Sequence, residues 1–141
     1  MRITADTNIL LRVLTDDDAV QAADARAVLE QAALIAIPVP VFCEVVWTMR
    51  RLYKRRPEEV ADAIEAILRV EAVATDRLAV EAGLRTLRAG GDFADGAIAC
   101  QGAALGGEVM MSFDRRAVGL LTAAGFAAQS PPRNSGSPAG I

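Results

Sequence analysis

Four acidic residues in this chain stand where a carboxylate can do chemistry. Asp6 follows the short apolar opening of the chain, and Asp114 follows the apolar run "EVMMSF". Glu44 interrupts the apolar stretch "PVPVFCEVVW", and Asp95 interrupts "FADGAIACQGAAL". A buried carboxylate needs a partner or a cation, and no Lys or Arg lies near Asp95 in the sequence. We therefore expect a bound cation at Asp95.

The composition excludes most other hydrolytic chemistry. The chain contains no histidine, which removes Ser-His-Asp and Cys-His catalysis, histidine-based zinc sites and a histidine general base. The two cysteines, Cys43 and Cys100, are isolated, so a structural zinc site is not expected. We expect them to be buried, reduced thiols of a cytoplasmic protein. Hydrolysis must then depend on carboxylates that hold a hard cation.

The bulk properties are those of one globular domain. Of the 141 residues, 52% are hydrophobic and only 4% aromatic, so the core must be mostly Ala, Val, Leu and Ile. The uncharged run 31–43 holds two prolines and is shorter than the about 20 residues of a membrane span. Asp6 interrupts the only candidate for a signal peptide. The net charge of −3 argues against a simple basic clamp for nucleic acid, unless a metal neutralises the carboxylates.

The hydrophobic pattern predicts alternating strands and helices. Predicted strands cover residues 2–5, 34–38, 70–75 and 108–113, with 126–129 as an edge strand. Predicted helices cover residues 8–14, 16–33, 39–56, 57–70, 77–88, 93–105 and 115–125. This alternation predicts an α/β domain over residues 1–129 with a mainly parallel sheet. The Pro/Gly/Ser-rich residues 130–141 are expected to form a disordered tail.

The predicted elements place the acids at one end of the sheet, where open α/β sheets bind ligands. Asp6 and Asp114 each end a predicted strand, and Glu44 lies in the first turns of the helix after the second strand. Asp92 and Asp95 lie where the loop "AGGD" enters a helix, and their spacing of three makes them neighbours on its surface. All five carboxylates can therefore face the same rim.

Each carboxylate also has a simpler structural explanation. Asp6, Asp92 and Asp114 could be helix N-caps, and capping is the leading role for Asp92, which precedes Phe93. Glu44 could be solvated and favoured only by the helix dipole. Taken together, these explanations require several coincidences at one end of one sheet, so a metal site is favoured.

Four segments carry a resemblance to a known family. The segments "ADTNILLRVL", "PVPVFCEVVWTMRR", "GGDFADGAIACQG" and "MMSFDRRAV" resemble the four successive motifs of PIN-domain ribonucleases, and most closely those of VapC-type toxins of VapBC toxin–antitoxin pairs. The resemblance covers about residues 1–128. A lone D-T-N is common by chance, but four motifs in this order are specific. The resemblance implies a PIN-like three-layer α/β/α fold with a mainly parallel central sheet, and an acidic pocket for Mg²⁺ or Mn²⁺.

The resemblance also assigns roles to individual residues. The catalytic acids would be Asp6, Glu44, Asp95 and Asp114, with all but Glu44 nearest the metal and Glu44 either binding it or positioning water. An accessory acid and two polar residues that hydrogen-bond the acids would be Asp92, Asn8 and Ser112. Gly96 stands where Ala is frequent in the family, and we expect this change to loosen the helix by about 1 kcal/mol.

The implied activity is endonucleolytic cleavage of RNA that leaves 5′-phosphate and 3′-hydroxyl ends. The implied partners are the RNA substrate, a small VapB-like antitoxin that obstructs the pocket, and a second copy of the chain in a homodimer. Arg115 and Arg116 follow Asp114 and are candidates for phosphate contacts. The basic cluster between Arg50 and Arg56 either stabilises a helix C-terminus or forms an RNA track, and the sequence leaves both open.

Two other functional classes compete with this interpretation. Receiver domains and haloacid-dehalogenase-type phosphatases also use Asp at strand ends with Mg²⁺, but both need a lysine downstream of the acids. The single lysine here is Lys54, and the second Asp of the phosphatase motif is replaced by Asn8. A catalytically inactive PIN-fold module that binds RNA or protein is the remaining alternative. Loss of an acid would be its signature, and all four acids are present.

Overall fold

Helices and strands alternate along the chain in the computed structural model, which describes residues 1–134 and 136. The strands are β1 (Arg2–Thr4), β2 (Leu34–Ala36), β3 (Val73–Ala74), β4 (Met110–Met111) and β5 (Ala128–Gln129). The helices are α1 (Thr7–Leu14), α2 (Ala19–Gln31), α3 (Val39–Arg51), α4 (Pro57–Leu68), α5 (Arg77–Arg88), α6 (Phe93–Ala104) and α7 (Arg115–Ala123). The predicted order of elements and the α/β class are confirmed.

The strands pair in parallel, as predicted. β2 lies between β1 and β3, with Ile35 opposite both Ile3 and Val73. β4 pairs with β5, with Met110 opposite Ala128. In the described part of the chain these strands form a three-stranded and a two-stranded sheet rather than one continuous sheet. β4 is shorter than the predicted strand 108–113 because its partner β5 has only two paired residues.

The predicted helix 39–56 is too long, because α3 ends at Arg51. Lys54 has a φ of 54°, a left-handed conformation that a helix interior does not contain. Arg56 is extended, as expected for a residue that precedes a proline, and Pro57 then begins α4. The basic cluster is therefore divided between the end of α3 and the loop that follows it.

The core lies between the three-stranded sheet and helices α1 and α3 to α6. The largest fully buried side chains of helices α3 to α6 are two phenylalanines, four aliphatic residues and one threonine: Phe42, Phe93, Ile64, Val45, Val60, Val80 and Thr86. The expectation of a core built mostly from Ala, Val, Leu and Ile is confirmed.

Helices α5 and α6 approach each other closely through two glycines. A Cβ on Gly83 would lie 2.6 Å from Cε2 of Phe93, and a Cβ on Gly96 would collide with the Ala82 carbonyl and the Thr86 hydroxyl. The expectation that Gly96 merely loosens its helix is therefore wrong. The close packing of the two helices requires a residue without a side chain at this position.

The last residues that the structure describes, 130–134 and 136, lie in no helix or strand. The remainder of the predicted disordered tail, residues 135 and 137–141, lies outside the described residues. Among the described helices none combines the length and the apolar character that crossing a membrane requires.

Candidate active site

Asp6 lies at the carboxyl edge of the three-stranded sheet. β1 and β2 run parallel, and Ala5 N donates a hydrogen bond to Ala36 O at 3.0 Å, so both strands end at this edge. The Asp6 side chain caps α1, because its Oδ1 accepts a hydrogen bond from Ile9 N at 3.1 Å. Capping by Asp6 is thus confirmed. Its other oxygen, Oδ2, accepts no hydrogen bond from the described residues.

Glu44 is tied to the residue next to Asp6. It lies on α3 with an exposed side chain, so it faces outward from an otherwise apolar stretch. Thr7 Oγ1 donates a hydrogen bond to Glu44 Oε2 at 2.8 Å, and this bond joins the first turn of α1 to α3. This role of Thr7 was not predicted from the sequence. The signal was its position inside the D-T-N motif, directly after Asp6.

Asp95, on α6, belongs to a second group of acids. The other two are Asp92, which precedes α6, and Asp114, which precedes α7. The carboxyl of Asp95 is partly buried, and this burial raises its pKa above the usual value. The negative charges of Asp92 and Asp114 raise the pKa of Asp95 further, so these three predicted residues are brought together. None of the ion pairs found among the described residues includes any of the three carboxylates.

Two of these acids are oriented by helix capping. Asp92 Oδ1 accepts a hydrogen bond from Ala94 N at 3.2 Å, and Asp114 Oδ1 accepts one from Ala117 N at 3.0 Å. The caps predicted for Asp92 and Asp114 are confirmed, and the positive ends of α6 and α7 stabilise the two charges. Each cap uses one oxygen, which leaves the second oxygen of each carboxylate available for another ligand.

Glu44 and Asp92 line one cavity of about 440 Å³, whereas Asp6, Asp95 and Asp114 are not among its lining residues. The cavity is lined by Cys43, Glu44, Trp47, Thr48, Asp92 and Ala94, so carboxylates from α3 and from the start of α6 share it. Burial raises the pKa of the Cys43 thiol, and the charges of Asp92 and Glu44 add to this effect. Both cysteines are free, as expected, although they are half-buried rather than fully buried.

The acids do not form a compact cage. Within residues 1–134 and 136, no three Asp, Glu or Cys side chains lie close enough together to hold one metal ion. Mg²⁺ keeps several waters and takes only one or two carboxylates directly. Asp95 lies near the negative charges of Asp92 and Asp114, and these carboxylates are hard oxygen donors that form no ion pair among the described residues. This set of donors fits a hydrated divalent cation.

The predicted accessory residues behave differently from the expectation. Ser112 Oγ accepts a hydrogen bond from the backbone N–H of Asp114 at 3.1 Å, and thus contacts its backbone rather than its carboxylate. Asn8 is exposed and forms no side-chain hydrogen bond with the described residues. Arg115 is exposed, and Arg116 donates a hydrogen bond to the Gly90 carbonyl at 2.8 Å.

The family model of the PIN domain matches residues 3–120 of the chain. This match covers more than half of the chain and includes all four predicted acids. The chain belongs to the PIN domain family. No curated protein matches the chain. PIN domains are generally nucleases and typically use divalent metal ions. The predicted three-layer α/β/α fold is confirmed, and at this level the chain is a member of a family of nucleic-acid hydrolases.

Proposed function

We propose that this PIN domain is a Mg²⁺- or Mn²⁺-dependent endoribonuclease that uses the carboxylates of Asp6, Glu44, Asp95 and Asp114. The observation that carries this proposal is the state of Asp95. Its partly buried carboxylate lies near two further negative charges, and none of the three carboxylates forms an ion pair with a described Arg or Lys. Such a group favours a bound divalent cation, the typical cofactor of the family.

Each of the four acids would have its own role in phosphodiester hydrolysis. A bound divalent ion supplies an activated water and neutralises charge on the phosphoryl oxygens. Asp95 and Asp114 would hold this ion directly, and Asp6, which follows β1 of the other sheet, would bind it through one of its waters. Glu44, held by Thr7, would orient the attacking water and accept its proton. The products would carry 5′-phosphate and 3′-hydroxyl ends.

Cleavage of total RNA by the purified protein tests this proposal. We expect internal cleavage with Mg²⁺ or Mn²⁺, none with EDTA, and none with the Asp95→Asn variant. Asp24→Asn is the matched control, because Asp24 is an exposed carboxylate on α2 that does not line the cavity of Glu44 and Asp92. Cleavage that survives in EDTA or in Asp95→Asn would contradict the proposal.

A catalytically inactive PIN-fold module that binds RNA or protein is the second candidate. It is favoured by the absence, among the described residues, of three acids close enough to share one ion. Such a module would bind RNA in EDTA and would leave it intact when either metal is added.

We further propose that the chain is the toxin of a type II toxin–antitoxin pair, acts in the cytoplasm, and binds a VapB-like antitoxin. The support is the resemblance of the four motifs together with an apolar surface that a protein partner could cover. This surface is a cavity of about 360 Å³ between α1, α2 and α4, whose lining includes Leu10, Leu14, Leu29, Ile67 and Val70. We expect growth arrest on expression, and recovery when a VapB-like antitoxin that binds the chain is coexpressed.

A homodimer is part of the same proposal. Large apolar side chains near β4 are exposed, with Leu105 at 90% and Phe113 at 87% of their maximal exposure. A second copy of the chain could cover them. Sedimentation equilibrium should show a concentration-dependent dimer, and a monomer at every concentration would contradict this expectation.

A further inference from the structure

A second cavity, of about 340 Å³, adjoins the acidic one. Trp47 and three arginines, Arg50, Arg51 and Arg116, are among its lining residues. Trp47 and Asp92 line this cavity and also the acidic cavity that contains Glu44. One continuous surface therefore runs from the acids, past the indole, to the arginines. We name Trp47, Arg50, Arg51 and Arg116 the tryptophan–arginine surface.

The arginines of this surface come from two elements and are partly held in place. Arg50 and Arg51 lie in the last turn of α3, and Arg116 lies in the first turn of α7. Arg50 Nη1 donates to the Arg55 carbonyl at 2.8 Å, and Arg116 Nη2 donates to the Gly90 carbonyl at 2.8 Å. A guanidinium has five N–H donors, so most of the donors remain available to a ligand.

The positive charges of these arginines are not paired with carboxylates in the described part of the chain. Five other arginines form ion pairs with carboxylates: Arg12, Arg26, Arg55, Arg56 and Arg88. None of the described ion pairs involves Arg50, Arg51 or Arg116. In a chain with a net charge of −3, this surface concentrates positive charge that an anion could use.

Trp47 gives this surface a second property. Its indole is 57% exposed, although its neighbours Val45 and Val46 on α3 are buried in the core. The indole thus contributes little to the core and presents a flat aromatic face beside the arginines. Aromatic faces next to cations that bind the backbone are the typical arrangement for single-stranded nucleic acids, whose unpaired bases can stack on them.

We infer that the tryptophan–arginine surface binds the substrate as single-stranded RNA, with one base stacked on Trp47 and the neighbouring phosphates bound by the arginines. This inference rests on the proposed nuclease function. It places the scissile phosphate toward Glu44 and Asp92, where the charge of Asp92 lies near the proposed ion ligand Asp95. A duplex is discriminated against, because its bases are already stacked on one another and cannot reach the indole. Unpaired loops and ends of RNA are then the substrates.

Binding without cleavage tests this inference directly. Trp47 is the single tryptophan of the chain, so its fluorescence reports contact with a base. Anisotropy of a fluorescein-labelled, single-stranded RNA of mixed sequence measures binding in EDTA. An unlabelled RNA of the same sequence is used to measure quenching of the tryptophan fluorescence. We expect the single strand to quench Trp47, and the duplex of the same sequence to quench it much less.

Variants separate the phosphate contacts from the stacking. Arg51→Gln should weaken binding and reduce the slope of log K against log salt by about 0.7, the value for one phosphate contact to a single strand. The matched control is Arg85→Gln, which removes an exposed arginine on α5 that lines a different cavity. It should leave the salt dependence of binding unchanged.

Trp47→Leu should weaken binding roughly tenfold with an unchanged salt dependence, and Trp47→Phe should restore most of the affinity. Because Trp47 and Arg51 are exposed, these substitutions should remove little core packing. Circular dichroism of each variant checks that the fold is retained.

Cleavage of total RNA by the same variants distinguishes the two proposals. If Arg51→Gln and Trp47→Leu bind and cleave like the wild type, while Asp95→Asn does not cleave, the inference is overturned and the nuclease proposal stands. If the variants lose binding but the wild type never cleaves with either metal, the surface binds RNA and the nuclease proposal fails. Quenching by duplex equal to that by single strand would also overturn the inference.

Discussion

The carboxylates of the candidate site are held in three different ways. Asp6, Asp92 and Asp114 each cap a helix with one oxygen, while Glu44 accepts a hydrogen bond from Thr7. Asp95 accepts no side-chain hydrogen bond from the described residues, and its pKa is raised by burial and by neighbouring charge. Capping and cation binding are therefore compatible, because they use different oxygens of the same carboxylate.

At the residue scale we predict that Asp95→Asn stabilises the metal-free protein at neutral pH. The pKa of Asp95 is raised in the folded state, so its ionised form is disfavoured by folding. The gain should be about 1–2 °C in Tm, since the group is partly exposed and screened by solvent. The gain in Tm should be largest at pH values above the pKa of Asp95 in the folded protein. It should disappear as the pH falls toward 3.8, the ordinary pKa of an aspartate.

Thermal melts of both proteins in EDTA across this pH range measure the effect. A lower Tm for Asp95→Asn at neutral pH would show that the carboxylate makes a stabilising contact. It would then weaken the case for a bound cation at Asp95.

The close packing of α6 against α5 determines the positions of the acids on α6. Gly83 and Gly96 permit an approach in which Phe93 packs against α5, and Asp95 directly precedes one of these glycines. Asp92 begins the same helix. A displacement of α6 away from α5 would therefore move both carboxylates relative to Glu44 on α3.

At the element scale we predict opposite effects for two substitutions in α6. Gly96→Ala should destabilise the fold by about 1–3 kcal/mol, because its Cβ collides with the α5 backbone. Gly102→Ala has open space around the new Cβ and should stabilise the helix by about 0.5–1 kcal/mol. Urea denaturation measures both values. Equal effects of the two substitutions would mean that helix propensity, and not packing against α5, determines position 96.

The candidate site extends over both sheets. Asp6 and Glu44 belong to the part built on the three-stranded sheet, whereas Asp114 follows β4 of the two-stranded sheet. Contacts that join the two parts include the bond from Arg116 to Gly90 and the close approach of Leu120 to Gly91. The complete set of acids exists only when these two parts are docked.

At the scale of the whole molecule we predict that a divalent cation stabilises the fold. A ligand that binds only the folded state at 100 times its Kd adds about 2.7 kcal/mol to the free energy of unfolding. Mn²⁺ or Mg²⁺ should therefore raise the Tm of the wild type by several degrees. The Asp95→Asn variant should show a much smaller shift, and an equal shift would place the cation elsewhere.

We also predict that the domain ends near Gln129, the last residue of β5. Residues 130–134 and 136 lie in no helix or strand, so their removal takes away no element of the described fold. A chain that ends at Gln129 should melt within about 2 °C of the full chain. It should also retain the proposed cleavage of RNA. A large fall in Tm would show that the tail packs on the domain.

The sequence by itself determined the order of the elements, the α/β class, the helix caps and the family. These features depend on local signals: hydrophobic periodicity, prolines at helix starts, and Asp92 and Asp114 directly before the helices that they cap. The end of α3 was missed because the basic run after Arg51 favours a helix, whereas the left-handed Lys54 and the extended Arg56 before Pro57 end it.

Only the tertiary structure decided which side chains meet. Thr7 and Glu44 are 37 positions apart, and Arg116 joins Arg50 and Arg51 at one cavity from a different helix. From the sequence alone, Gly96 is only a weak helix former. The structure shows that a Cβ at this position would collide with α5. Local patterns carry no information about such contacts, because the distance between two elements is set by how their side chains pack together.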